Sequence, residues 1–389
     1  MYRFGQEETE NIGEVVRSGK LFRYGEGCRC AEFERRWGAY LGVEHATLTS
    51  SGTTALTAAL VGLGIGPGDE VLIPAATYMA SAVAVLAAGA IPVIVDIDET
   101  ITIGPKAIEA AIGPRTRAIM PVHMWGLCCD MNPIVDIAER QGLLVVEDAA
   151  QAAGVEYRGR KVGSIGHAGG FSFNYFKHIT CGEGGAVVTR DQRVIDRANC
   201  IVDCCNFYWN ERPADFEPFV ASGSRASEFE GAILLAQLDR LDDMLTAMRR
   251  EKRRILKATT DVGLRPIRTI DPDGEAGSHV MYTFDSPKQA DRFAELTHGT
   301  VAAKTGRHVY TNWDPILAHE VGHHPRMNPF HFAENAECRK EYTEEMCAAS
   351  LDLLSRTVFL TTHPDHSDGE IDELVERLRS AADVVLARA

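Results

Sequence analysis

The chain has 389 residues, 45% hydrophobic and 24% charged, an ordinary globular composition long enough for two domains. Its 40 lysines and arginines face 55 aspartates and glutamates, a net charge of −15 with no basic run, which excludes nucleic acid and anionic membranes as expected partners. The start, Met1-Tyr2-Arg3-Phe4-Gly5-Gln6-Glu7-Glu8, has no apolar signal core, and the most apolar stretch, Ser81 to Val95, is broken by Gly89 and Pro92, so the expected compartment is the cytoplasm.

In chain order, helices are predicted over 7–18 and 31–41. Ala46–Ser50 reads as a strand and Thr53–Gly64 as a helix rich in Ala and Leu. Strand Val71–Pro74 follows the turn Pro67-Gly68-Asp69-Glu70, then helix Tyr78–Ala88 and strand Pro92–Asp96. Helix Pro105–Ile112, strand Ala118–His123, helix Pro133–Gln141 and strand Leu143–Asp148 continue the alternation, and Phe171–Asn174 and Ala186–Thr189 close it. Such alternation predicts an α/β domain with a mostly parallel sheet, and near-continuous apolar strands predict helices on both faces. Residues 207–224 read as a loop. Arg225–Lys257 reads as a long helix or helix pair, with Ile233, Leu234, Leu238, Leu241 and Leu245 at helical spacing. The expected division is a large α/β domain over 1–250 and a smaller C-terminal α+β domain over 251–389, ending in a helix at Asp368–Arg388. The ten cysteines show no paired C-x-x-C pattern and read as reduced thiols, with Cys128-Cys129 and Cys204-Cys205 as small core residues.

Lys177 carries the most information. It ends the apolar and aromatic run Phe171-Ser172-Phe173-Asn174-Tyr175-Phe176, where a charged amine is costly to bury. A lysine there tends to lose its proton and become a nucleophile toward carbonyls; the alternative is a strand-end lysine reaching solvent. Four features favour the first. Thr49-Ser50-Ser51-Gly52-Thr53-Thr54 lies between a strand and a helix, and its free N–H groups and hydroxyls suit a phosphate. Asp148 ends a buried strand, where open α/β sheets bind ligands. Tyr78 follows another strand end and can stack on a flat ring. Ser172 places a hydroxyl five residues before Lys177. Together they describe a ligand with a phosphate, a ring bearing a basic nitrogen, and an aldehyde: pyridoxal 5′-phosphate.

The chain resembles the DegT/DnrJ/EryC1/StrS sugar aminotransferases, pyridoxal-phosphate enzymes of fold type I. The matching pieces, in family order, are Ser51 to Leu56, Gly66 to Val71, Val93 to Asp96, Val122 to Gly126, Glu147 to Ala152, and Ser172 through Lys177 to Gly185. The resemblance implies that Lys177 is the Schiff-base lysine and that Asp148 pairs with the ring nitrogen. It puts Gln151 near the ring hydroxyl, Tyr78 on the ring face, and Gly52, Thr53 and Ser172 at the phosphate. It implies amino transfer from glutamate or glutamine to a keto sugar or keto cyclitol in amino-sugar or antibiotic biosynthesis. It also implies a homodimer with shared sites. One departure stands out: the family's cross-subunit Asn falls at Gly223, with Ser222 and Ser224 as the candidates to replace it.

His123, His178, Asn312 and Trp313 are candidate substrate contacts, the last two in the histidine-rich stretch from His308 to His331. A diverged elimination or cyclisation on the same cofactor is one alternative chemistry. A zinc hydrolase using His319-Glu320-Val321-Gly322-His323 is another, but Gly322 and Pro325 oppose the helix that motif needs, so no metal is expected.

Overall fold

Short apolar runs between glycine and proline turns build the centre of the molecule. The computed structural model describes residues 4–25, 27–209 and 215–387. The strands are β1 (His45–Thr49), β2 (Glu70–Pro74), β3 (Ile91–Val95), β4 (Thr116–Ile119), β5 (Leu144–Asp148), β6 (Glu156–Tyr157), β7 (Arg160–Lys161), β8 (Ala168–Ser172) and β9 (Gly185–Thr189). Seven of them form one sheet in the order β1-β9-β8-β5-β4-β2-β3. Only β9 runs against its neighbours; the remaining pairings are parallel. Every residue of β2, β3, β8 and β9 is buried, which explains their lack of polar alternation.

The helices predicted for the large domain fall close to their expected places, but the 11-residue helix Gln192–Val202 was not expected, and the short helix Asn206–Trp209 enters the stretch read as a loop. The expected strand Ala118–His123 starts at Thr116 and loses its regular pairing after Ile119, though Val122 still bridges to Asp148. The long helix is unbroken over Glu228–Ala258. Helices Gln6–Ser18 and Arg29–Leu41 lie against it. Glu8, fully buried there, accepts from Gln237 Nε2 at 2.6 Å and pairs with Arg240. Beneath the sheet, Trp37 meets Phe171 edge-on at 5.0 Å, and Phe33 meets Phe173 at 5.5 Å.

The C-terminal part has its own antiparallel sheet. Its strands β10 (Arg265–Pro266), β11 (His279–Thr283), β12 (Thr300–Val301) and β13 (Thr357–Thr361) run in the order β10-β11-β13-β12. Helices Pro287–Thr297 and Asp368–Leu386 cover it through Phe293, Leu374 and Leu378. The expected terminus Arg388 and the loop residues 210–214 lie outside the described residues. A boundary at 250 cuts the long helix. Residues 309–347 return to the large sheet: Tyr310, Trp313, Ile316 and Phe330 join the cluster of Val71, Ile73 and Ile91. Among the described residues no helix is long and apolar enough to cross a membrane.

Candidate active site

Strand alternation aims the site. Phe171 and Phe173 point into the aromatic cluster, so Ser172 points the other way, into a cleft at the carboxyl ends of the parallel strands. The same rule separates Glu147 from Asp148. Glu147 turns to the far face, where it accepts from the backbone N–H groups of Gly163, Ile165 and Gly166 and pairs with His123 Nε2 at 3.0 Å. Asp148 faces the cleft.

The cleft encloses about 460 Å³ and is lined by Ser51, Gly52, Thr53, Tyr78, Asp148, Gln151, Ser172 and Lys177. Ser51 caps the helix Gly52–Gly62, its hydroxyl accepting the Thr54 N–H at 3.2 Å. The first N–H groups of that helix have no acceptor within the helix and open onto the cleft. Two glycines allow this placement. A Cβ on Gly52 would sit 2.7 Å from Ser172 Cβ, and one on Gly185 would sit 2.5 Å from the Ser51 carbonyl oxygen.

Asp148 is buried and its ionised form is disfavoured there, so its pKa is raised. The Ser81 hydroxyl and the Ala150 N–H oppose that shift, as does Lys177. Ser81 Oγ donates to Oδ2 at 2.7 Å, and the Ala150 N–H donates to Oδ1 at 3.0 Å. Because the Ser81 proton is committed, Thr77 Oγ1, 2.7 Å away, donates to Ser81. Burial lowers the pKa of Lys177 and Asp148 opposes the shift, so the amine is less often charged than a surface lysine. Gln151 Oε1 accepts the Trp125 N–H at 3.1 Å, leaving its amide nitrogen for the cleft.

A side chain from the C-terminal part completes the wall. The bridge between Ala76 and Val309 brings His308 beside Tyr78, with ring centroids 5.3 Å apart. Its Nδ1 lies 3.1 Å from the Thr305 carbonyl, so Nδ1 carries the proton and Nε2 remains an acceptor. Burial holds its pKa down.

Four candidate contacts do not line this cleft. His123 is fully buried; its Nδ1 accepts the Cys129 N–H at 3.2 Å and it serves Glu147 on the far face. His178 is buried beside Gly126. Trp313 is a core residue with no exposure, its Nε1 donating to the Arg307 carbonyl at 2.9 Å. Asn312 lies exposed on the turn Tyr310–Asn312. The zinc motif fails on geometry: His319 has φ +57°, no helix spans 319–323, and its Nε2 lies 2.6 Å from the Lys340 carbonyl oxygen. Sequence reading missed Ser81, Thr77 and His308 as single functional residues. Ser81 four residues after Thr77 was a readable signal; the approach of His308 depends on a contact 230 residues away in sequence.

Over nearly its whole length the chain is similar to known proteins. The pattern of the DegT/DnrJ/EryC1/StrS aminotransferase family matches residues 3–379. GDP-perosamine synthase of Caulobacter vibrioides is 46% identical over 224 residues, which cover 56% of this chain and 58% of that one. The L-glutamine:2-deoxy-scyllo-inosose aminotransferase of Streptomyces kanamyceticus is 36% identical over 325 residues, covering 80% of this chain and 76% of that one. The crystal structure of S. venezuelae DesV with a ketimine intermediate superposes with a TM-score of 0.75 at 29% identity, covering 97% of this chain and 94% of that one.

Proposed function

The chain belongs to the DegT/DnrJ/EryC1/StrS aminotransferase family, and from that premise we propose that it transfers an amino group from glutamine or glutamate to a keto sugar or keto cyclitol, with pyridoxal 5′-phosphate held at Lys177. One observation carries the reading: Lys177, the buried carboxylate of Asp148 and the start of helix Gly52–Gly62 line a single cleft. The fit to the cofactor is chemical. A carboxylate disfavoured by burial gains from a protonated ring nitrogen beside it. A helix start with small residues suits a phosphate.

When bound, the cofactor supplies an aldehyde that condenses with amines and a ring that withdraws electrons. Asp148 would hold the ring nitrogen protonated. Ser51, Gly52, Thr53 and Ser172 would hold the phosphate, Tyr78 would cover the ring, and the Gln151 amide would reach the ring hydroxyl. The Lys177 amine would take up the proton that leaves the donor's α-carbon in the first half-reaction and would deliver one to the acceptor's amine-bearing carbon in the second. His308 presents Nε2 as an acceptor for an acceptor-substrate hydroxyl. Such a lone pair suits a polyol and repels a carboxylate.

The assembly is proposed as a homodimer. Phe176, on the cleft rim, is 80% exposed, and a second copy covering the cleft would bury it. At the family's Asn position the chain bends through Gly223 at φ +83°; Ser222 is exposed and Ser224 half-buried, so Ser222 is the hydroxyl open to a second copy. The test is turnover with glutamine and a panel of keto cyclitols and nucleotide-linked keto sugars, read by mass spectrometry. Lys177→Ala should abolish amine transfer. Retention of the wild-type rate in that variant would overturn the mechanism.

A further inference from the structure

Beyond the cleft, the helix Gln192–Val202 ends at Asp203, and the chain turns through Cys204 and Cys205 into the short helix Asn206–Trp209. Asp203 is buried, and its Oδ1 accepts the Cys205 N–H at 2.9 Å, which closes the turn. The two thiols lie 3.6 Å apart and are half-buried, so they are not the core residues that their sequence context suggested. A carboxylate oxygen of Asp203 and the two sulfurs all lie within 4.8 Å of one another. Among the described residues this is the one such group of three.

The spacing is that of a chelate. Two thiolates bound at about 2.3 Å to a tetrahedral zinc ion stand about 3.8 Å apart, so these thiols need to move by only a few tenths of an ångström. Charge also balances. Two thiolates and the Asp203 carboxylate offset a divalent cation and the Arg225 guanidinium, whose Nη1 lies 3.6 Å from Asp203 Oδ2. Tyr24 donates to that same Oδ2 at 2.6 Å, which leaves the second lone pair of Oδ1 for a metal. Half-burial gives an ion a path in.

We propose that Asp203, Cys204 and Cys205 form a binding site for a thiophilic divalent cation of the zinc type, with solvent in the fourth position. The site is tied to the cleft through one strap. The Ser224 N–H donates to the Val202 carbonyl, and the Ser224 carbonyl accepts the Ser50 N–H at 2.8 Å, one residue before Ser51. A bound ion clamps the chain end from which this strap hangs. Binding displaces two thiol protons, so affinity rises with pH.

Reduced, chelator-treated holoenzyme titrated with Zn²⁺ or Cd²⁺ tests the site. The expected result is stoichiometric uptake, a cadmium–thiolate absorption band, and protection of Cys204 and Cys205 from alkylation, read by peptide mass spectrometry. A Cys204→Ser/Cys205→Ser variant should lose affinity by about tenfold or more. Asp203→Asn should weaken binding while keeping the thiolate band. Equal uptake by the double-serine variant overturns the proposal, and so does alkylation of both cysteines at the same rate with and without zinc. The alkylation arm uses the wild-type protein, so it decides even if the double variant folds poorly.

Discussion

Removing one hydroxyl beneath the cleft tests how Asp148 is kept ionised. Ser81 is fully buried, and its Oγ donates to Asp148 Oδ2 at 2.7 Å while accepting from Thr77. Ser81→Ala removes that donor with almost no change in volume and leaves only the Ala150 N–H on the carboxylate. A hydrogen bond to a charged group contributes about 1.5–3 kcal/mol. At about 1.4 kcal/mol per pKa unit, that is an upward shift of about one to two units. The sign follows from the direction already present. Burial raises the Asp148 pKa and the Ser81 hydroxyl opposes it, so deleting the hydroxyl raises it further. Since the ionised carboxylate is the active form, the acidic limb of the kcat/KM profile should move to higher pH by about one unit or more. A profile superimposable on the wild type's would refute the claim that Ser81 sets the charge of Asp148.

Three other expectations follow from particular contacts. Gly52→Ala places a Cβ 2.7 Å from Ser172 Cβ, so the helix start must shift; cofactor affinity by equilibrium dialysis should fall sharply, with Ser172→Ala giving the milder loss. Trp313→Ala should cost about 3–5 kcal/mol of stability by denaturant unfolding, with acceptor KM unchanged in the folded fraction, because the indole is core and not cleft. Buried His178 has its pKa lowered from 6.5 to about 4, so the unfolded chain binds its proton more readily; apoenzyme stability should fall as pH drops from about 6.5 toward 4, by about 3 kcal/mol from this group, and His178→Phe should flatten that decline.

What the sequence disclosed were features fixed by local rules. Period and punctuation gave the alternating strands and helices, because a strand covered on both faces must be apolar throughout, as β2 and β3 are. Lys177, Asp148 and the Ser51–Thr53 start were readable because their neighbours in sequence are also their scaffold: Phe171 and Phe173 orient Ser172, and Glu147 orients Asp148. Side chains whose direction depends on distant packing were not. His123 is polar and follows a strand, yet the buried carboxylate of Glu147 draws it to the far face. Trp313 sits in a polar loop, but residues 309–347 fold back onto the large sheet and bury it. No local pattern announces that return, which also blurs a division at residue 250. His308 reaches Tyr78 by the same return, so the cleft's one imidazole wall was hidden in a stretch with several equivalent histidines.

Reduction of the holoenzyme with borohydride, followed by peptide mapping, asks most directly whether one amine is the attachment point. The expected result is a single phosphopyridoxyl adduct on Lys177 and loss of the visible chromophore. An adduct on another lysine, or a purified active enzyme with no chromophore to lose, would contradict the account.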